Sequence, residues 1–438
     1  MQSLDNILTE LTFIFMHFFL FMANYSVMKK KIMQPAVLFS LIWFIILLLH
    51  FTFRFTLLEG LFPLSFSTFL IFFIGVVAFS FGSFIQIVIS EKRNANKKNI
   101  PLNIINDQND ISLSLRYFFL FIVIIGLPFY IAAAYRVFVA SNIENFFSGL
   151  RTELAYGDED IGPVKYLTSF SFVVFAINLF AYFKHKNTTN RILLTLSVFL
   201  AFTYAIFVTG RTLIFLLLSV YIGISYVLNN GVSIKKIGLL IGFFMIFFIS
   251  IGIMYGKGGD SENSLKENIN PAAQTTAIYL VSSLNALDWN MNHQFQVNYN
   301  GNNSLRFFMK IGEQLHLLPN LKINELIQPF VFVPYLTNVY TIYSPYIKDF
   351  GKLYAWLMIA LFGFLHTWLY NKAISTKNIR YTFYYSFLLF PLLISFFMDF
   401  YLTITSLWLQ IIFFIEIFLI INQLLKRRKG NNIIVISQ

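Results

Sequence analysis

Tyr255-Gly-Lys-Gly-Gly-Asp260 opens the one long run of this chain that a bilayer core would not absorb, and Asp349-Phe-Gly351 comes near its end. The run, residues 255–352, holds two of the six histidines and balances acidic against basic side chains, as a folded cap would. On either side the sequence is a succession of apolar segments. Each is about 20 residues long, enough to cross a hydrocarbon core of ~30 Å as a helix. They are continuously apolar and do not alternate with polar positions, so they read as helices and not as strands of a barrel. The expected fold is an all-α polytopic membrane protein. It is one membrane domain over 1–438, with short helices in the loop 255–352.

Composition agrees. With 57% hydrophobic and 12% charged residues and a mean hydropathy of +0.69, the chain lies outside ordinary soluble composition. It has no cysteine, which excludes disulfides, thiolate metal sites and a cysteine nucleophile. The net charge of +12 invites a nucleic-acid reading, but its distribution removes that reading. Basic residues gather at Lys29–Lys31, Lys92/Arg93/Lys97/Lys98, Lys184/Lys186/Arg191, Lys235/Lys236, Lys372/Lys377/Arg380 and Lys426–Lys429. These clusters fall in alternate loops, the positive-inside pattern. The pattern orients about 11 transmembrane helices with the N-terminus out and the C-terminus in. It leaves 140–163 as a small outer loop and 255–352 as a large one. Met1-Gln-Ser-Leu-Asp5 lacks the basic start of a cleaved signal peptide, so the first apolar segment is expected to be retained.

The expected spans run about 7–27, 36–57, 64–89, 117–139, 166–183, 192–208, 212–228, 237–254, 353–370, 382–400 and 402–425. Within the large loop, 272–287 and 326–343 imitate spans. Gln274, Ser282 and Asn285 in the first, and Pro329 and Pro334 in the second, mark both as loop helices at the surface or packed on the bundle. There is no inverted repeat of the kind transporters show.

Several polar residues stand out, each with a plain and a functional reading. Arg211 lies between two apolar runs where a helix pair turns at the outer face. It either snorkels to the interface or grips a phosphate through two parallel hydrogen bonds, with Gly210 letting backbone approach the ligand. Arg151, in the small loop with Gly157 and Gly162, lies near Glu153 and Asp158-Glu-Asp160 and taken alone reads as a solvated charge. That acidic run lacks calcium-loop spacing, and no HExxH motif occurs, so neither a metal nor a cofactor is expected. Arg306, Lys310 and Glu313 share one helical face, either the charged rim of an interfacial helix or a pair of cations aimed at lipid phosphates. His293 and His316 are candidate general bases by residue type, although a lone loop histidine more often serves no such role. Asp399, at the outer end of the expected span 382–400, reads as a base or a sugar-hydroxyl acceptor. Glu416 reads as a structural partner or a proton site.

The layout resembles the Wzy-type O-antigen and oligosaccharide repeat-unit polymerases. Thr209-Gly-Arg211 opens a helix, and Thr337-Asn-Val-Tyr-Thr341 followed by Asp349-Phe-Gly351 leads into an apolar span, as in that family. One branch carries an Arg-x10-Gly motif in both outer loops. Arg151 to Gly162 fits the spacing, whereas Arg306 is matched by Leu317 and Gly312 comes too early. The resemblance implies a broadly GT-C-like glycosyltransferase of the bacterial inner membrane, with its active site facing the periplasm. The donor would be a glycan on undecaprenyl pyrophosphate and the acceptor one lipid-linked repeat unit, with membrane lipids and a chain-length regulator as partners. Arg211, Arg151 and Arg306 would stabilise the departing pyrophosphate. Asp349, Asp399 or a loop histidine such as His316 would be the base, and Asn338 and Tyr340 would meet sugar or help fold the loop. The alternatives are an O-antigen ligase and a lipid-linked oligosaccharide flippase or ion-coupled transporter. A polyprenyl-phosphate sugar transferase would usually carry an acidic pair in its first outer loop, where only Glu59 stands.

Overall fold

The computed structural model describes residues 4–95, 110–210, 212–229, 265–293, 296–317, 323–324 and 328–436, with isolated positions from 231 to 250. In chain order the helices are α1 Leu4–Val27, α2 Pro35–Phe55, α3 Phe66–Ala95, α4 Leu113–Ala140, α5 Phe146–Tyr156, α6 Tyr166–Lys184, α7 Thr188–Phe207 and α8 Thr212–Asn229. Then come α9 Leu265–His293, α10 Arg306–Gln314, strands β1 Val331–Phe332 and β2 Leu336–Thr337, α11 Tyr343–Thr376, α12 Ile379–Leu393 and α13 Thr405–Ile436. Among the described residues nine helices are long and apolar enough to cross a membrane. The all-α polytopic expectation therefore holds. Of the other two expected spans, 237–254 lies mostly outside the described residues, and 382–400 is the shorter α12.

The chain clusters into two compact units. The first comprises Met1–Ile100, Glu262–Asn371 and Phe390–Thr405. In it α2 starts on a firm cap: the Gln34 side chain accepts from the amides of Ala36 and Val37 at 2.8 and 3.2 Å, and Pro35 supplies a preset φ. Trp43, wholly buried, packs its ring 4.8 Å from Phe72 and 5.2 Å from Tyr343. Glu10 of α1 is buried in an ion pair with Arg54 of α2.

Lipid gives helices no hydrophobic reason to associate, so close backbone approach carries much of their packing. Helices α3 and α11 show it. A Cβ at Gly82 would overlap the Ala360 carbonyl, and one at Gly363 would overlap the Phe79 carbonyl. Ser83 Oγ donates to the Gly363 carbonyl at 3.1 Å across the same seam. Gly363→Val is expected to separate α3 from α11 and sharply lower the yield of monodisperse detergent-extracted protein. Gly60→Ala, where a Cβ meets nothing within 4 Å, is expected to cost only its positive-φ strain; equal yields for the two variants would refute the seam.

The second unit comprises Pro101–Ser261, Lys372–Leu389 and Ser406–Gln438. Helix α6 is its centre, packed by α4, α7 and α8. The buried Arg116 of α4 donates to Asn178 of α6 at 2.9 Å and to Asn190 of α7 at 2.6 Å. Glu416 of α13 accepts from Arg380 at 2.7 Å and from Tyr384, which makes it a clamp on α12.

Two loop expectations resolve differently. Segment 272–287 lies inside the long helix α9, which packs on α2 and α3. Segment 326–343 is not a helix where described, apart from Tyr343, which opens α11. It carries the antiparallel β1–β2 ladder, with Val331 opposite Thr337. Pro329 and Pro334 explain this, because proline cannot donate the amide that an interior helical turn needs.

Candidate active site

A small cavity in the first unit is bounded by the ends of three segments that are far apart in sequence. Arg306 comes from the start of α10, Asn338 and Tyr340 from the stretch after β2, and Asp399 and Thr403 from the connection between α12 and α13. The cavity measures about 30 Å³, room for about one water.

Asp399 does not cap a membrane helix as expected. Pro391 lies in the last turns of α12, the helix stops at Leu393, and 394–404 is non-helical. There the Asp399 carboxylate, only 1% exposed, accepts from the backbone amides of Tyr401 (2.9 Å), Leu402 (3.2 Å) and Thr403 (3.0 Å). Burial pushes its carboxyl above the ordinary value of 3.8, against the opposing pull of those amides. The result is a fixed carboxylate that holds its proton more tightly than a solvated one.

Asp349 has a different setting. It is fully buried, and its two oxygens accept from the Asn303 amide at 3.1 and 3.2 Å, Asn303 Nδ2 at 2.7 Å, and the Ser304 amide and hydroxyl both at 2.6 Å. Both oxygens are thus committed to the turn that leads into α10. Asp349 thereby positions Arg306, two residues further on. Gly351, with φ 85° and ψ 176°, takes a conformation that side chains avoid and breaks the backbone between Asp349 and the long apolar part of α11.

Arg306 is half-buried and steadied by Nε donating to the Asn324 carbonyl at 2.6 Å. Tyr340 donates its hydroxyl to the Pro329 carbonyl at 3.0 Å, and the Lys348 ammonium lies 4.7 Å from the centre of its ring. Burial pushes the Tyr340 hydroxyl up to about 12, so it stays protonated at neutral pH. Asn338 is half-buried at the same cavity.

None of the remaining expected residues that are described lines this cavity. Lys310 and His316 are exposed along and just after α10, and neither lines this cavity. Arg151 is half-buried on α5 of the second unit. Gly162, at φ 73°, donates its amide to Asp160, whose carboxylate also pairs with Lys165 at 2.6 Å. These contacts hold the Asp160 carboxyl below its ordinary value. Gly210 is half-buried after Thr209, and Arg211 lies outside the described residues. Sequence reasoning passed over Asn303, Gln328 and Ser344, which also line the cavity. The only trace of Asn303 is the polar run Asn298–Asn303, which reads as a plain loop.

Among the described residues no cluster of metal-ligating side chains occurs. No family model and no solved structure matches the chain. Two curated proteins do. A "Putative O-antigen polymerase" of Escherichia coli (strain K12) is 27% identical over 250 residues, 56% of this chain and 58% of that protein. An "O-antigen polymerase" of Shigella dysenteriae is 31% identical over 207 residues, 46% of this chain and 50% of that protein. The chain thus spans about half the length of the curated relatives it matches, and the similarity supports a Wzy-type polymerase family.

Proposed function

We propose that this chain, a relative of the O-antigen polymerases, joins lipid-linked oligosaccharide repeat units into a polysaccharide at the outer face of the bacterial inner membrane. The observation that carries the reading is the meeting of Arg306 and Asp399 at one cavity of the first unit. The reaction replaces a glycan–pyrophosphate bond by a glycan–oxygen bond. The acceptor hydroxyl loses its proton, and the leaving undecaprenyl pyrophosphate takes up negative charge. Asp399 suits the first task, since a base works best when its pKa rises toward the working pH. Arg306 suits the second, since a steadied guanidinium stabilises charge developing on phosphate oxygens. Asn338 and the protonated Tyr340 supply neutral groups for sugar hydroxyls. A cavity of about 30 Å³ holds no sugar ring, so substrates enter when its walls part.

Deletion of the gene tests the reading against its rivals on a gel of surface polysaccharide. Single repeat units capped on the core are expected. Polymer made but left unattached would indicate a ligase, and no polymer with trapped cytoplasmic intermediate a flippase. In the complemented strain, Arg211→Ala is expected to keep wild-type membrane levels and lose chain extension; polymer of normal length would remove Arg211 from the mechanism.

A further inference from the structure

A second cavity of the first unit, about 320 Å³, opens beside the last two turns of α9. Asn285, Asp288, Trp289 and His293 fall on one face of that helix, at i, i+3, i+4 and i+8, and Phe62 and Phe332 line the same cavity. The rings of Trp289 and His293 stack at 17°, with centroids 5.2 Å apart. Phe62 and Phe332 are 51% and 72% exposed, so aromatic faces are open to a ligand here.

The polar groups are built, not incidental. Asn285, 2% exposed, takes His50 Nε2 at 2.8 Å and donates to the Phe62 carbonyl at 2.8 Å, which fixes one wall. One oxygen of Asp288 accepts from the Ser65 amide at 3.0 Å and from the Ser65 hydroxyl. The other takes only the Asn292 amide, at 3.3 Å. The carboxylate is thus anchored by one oxygen and offers the second. His293 Nδ1 lies 3.0 Å from the Trp289 carbonyl, which can only accept. Nδ1 therefore donates in this contact, which leaves Nε2 as the ring's other polar atom.

We propose that this cavity is a carbohydrate subsite that takes one sugar ring of the glycan chain. A pyranose has apolar C–H faces and a rim of hydroxyls. The aromatic rings suit the faces, and the second oxygen of Asp288 with Nε2 of His293 suits the rim. The volume lies within the range of ligand pockets. Placement supports it too. Ala286, Val331, Val333 and Tyr340 form one apolar cluster with Trp289 packed against it. Tyr340 lines the Arg306–Asp399 cavity, and Trp289 and Val333 line this one. A sugar here neighbours the reacting one, so the inference rests on the polymerase reading and adds a glycan-positioning site to it.

The test uses the full chain in lipid nanodiscs and, as probe, the single repeat-unit oligosaccharide released by mild acid from the strain's own lipid-linked intermediates. Binding is read by ligand-observed NMR titration. Wild type is expected to bind. Asp288→Asn, which keeps the Ser65 anchor, is expected to weaken binding at least tenfold. Trp289→Ala is expected to abolish it, and Trp289→Phe to restore part of it. In polymerisation, Asp288→Asn is expected to raise KM with little change in kcat. If Trp289→Ala fails to fold, Asp288→Asn alone decides. Wild-type affinity in Asp288→Asn overturns the subsite, as does an oligosaccharide that fails to bind the wild type. Wild-type affinity in Trp289→Ala also overturns it, marking the aromatic rings as packing or a contact with the bilayer surface. Failure of the polymerase reading shows separately, as normal polymer in the deletion strain.

Discussion

Asp399→Asn is expected to leave the protein folded and to lower kcat by about two to four orders of magnitude, the range that a positioned general base contributes. The variant has nearly the same volume, but its amide nitrogen cannot accept. One of the three backbone amides now held by the carboxylate then lacks its partner, at a cost of about 1–3 kcal/mol. A modest fall in melting temperature with a collapse of chain extension in reconstituted vesicles is the expected pair of results. A near-normal kcat with the same fall would make Asp399 a turn-former only. The pH profile supplies a second check. The folded-state carboxyl lies above 3.8, so the wild-type acid limb of kcat/KM sits above the ordinary carboxylate range and activity rises through it as Asp399 deprotonates. The stability sign is opposite. Because the folded state holds this proton more tightly than the unfolded chain, the contribution is favourable below 3.8 and declines as pH rises through the folded value. Asp399→Asn removes both effects.

Arg306→Ala is expected to lower kcat by about two to three orders of magnitude, as loss of one preorganised group facing developing charge does elsewhere, and Arg306→Lys to recover only part of it. The partial recovery follows from geometry. Nε of Arg306 is spent on the Asn324 carbonyl, which holds the guanidinium in place, and lysine offers a flexible point charge without that fork. Steady-state kinetics with purified lipid-linked repeat units separate the outcomes. A drop in kcat with little change in KM marks a group that acts in the transition state. A change of about twofold or less that disappears at high salt marks an exposed rim charge and would remove Arg306 from the reaction.

The membrane architecture was legible because it depends on local composition. Length and continuous apolarity specify a spanning helix without any partner, and nine such helices are present among the described residues. Where local signals competed, the reading was weaker. The segment 382–400 is apolar throughout, yet Pro391 and the turn gathered by Asp399 end α12 early. The segment 326–343 is apolar as well, and its prolines turn it into a short ladder.

The candidate site divides along the same line. That Arg306, Asn338, Tyr340, Asp349 and Asp399 are unusual residues could be read from charge, motif and position alone. Their division of labour could not, because it depends on contacts between residues distant in sequence. Asp349 and Asp399 look equivalent as buried acids near an outer face. Folding gives the first four donor groups from Asn303 and Ser304, and gives the second three backbone amides and a place at the cavity. By itself the sequence determined that the chain is built largely of helices long and apolar enough to cross a bilayer, since transfer free energy is summed along the chain. Only the tertiary structure decided which carboxylate anchors a turn and which faces the space beside Arg306, since hydrogen bonds and burial are settled by what folding brings together.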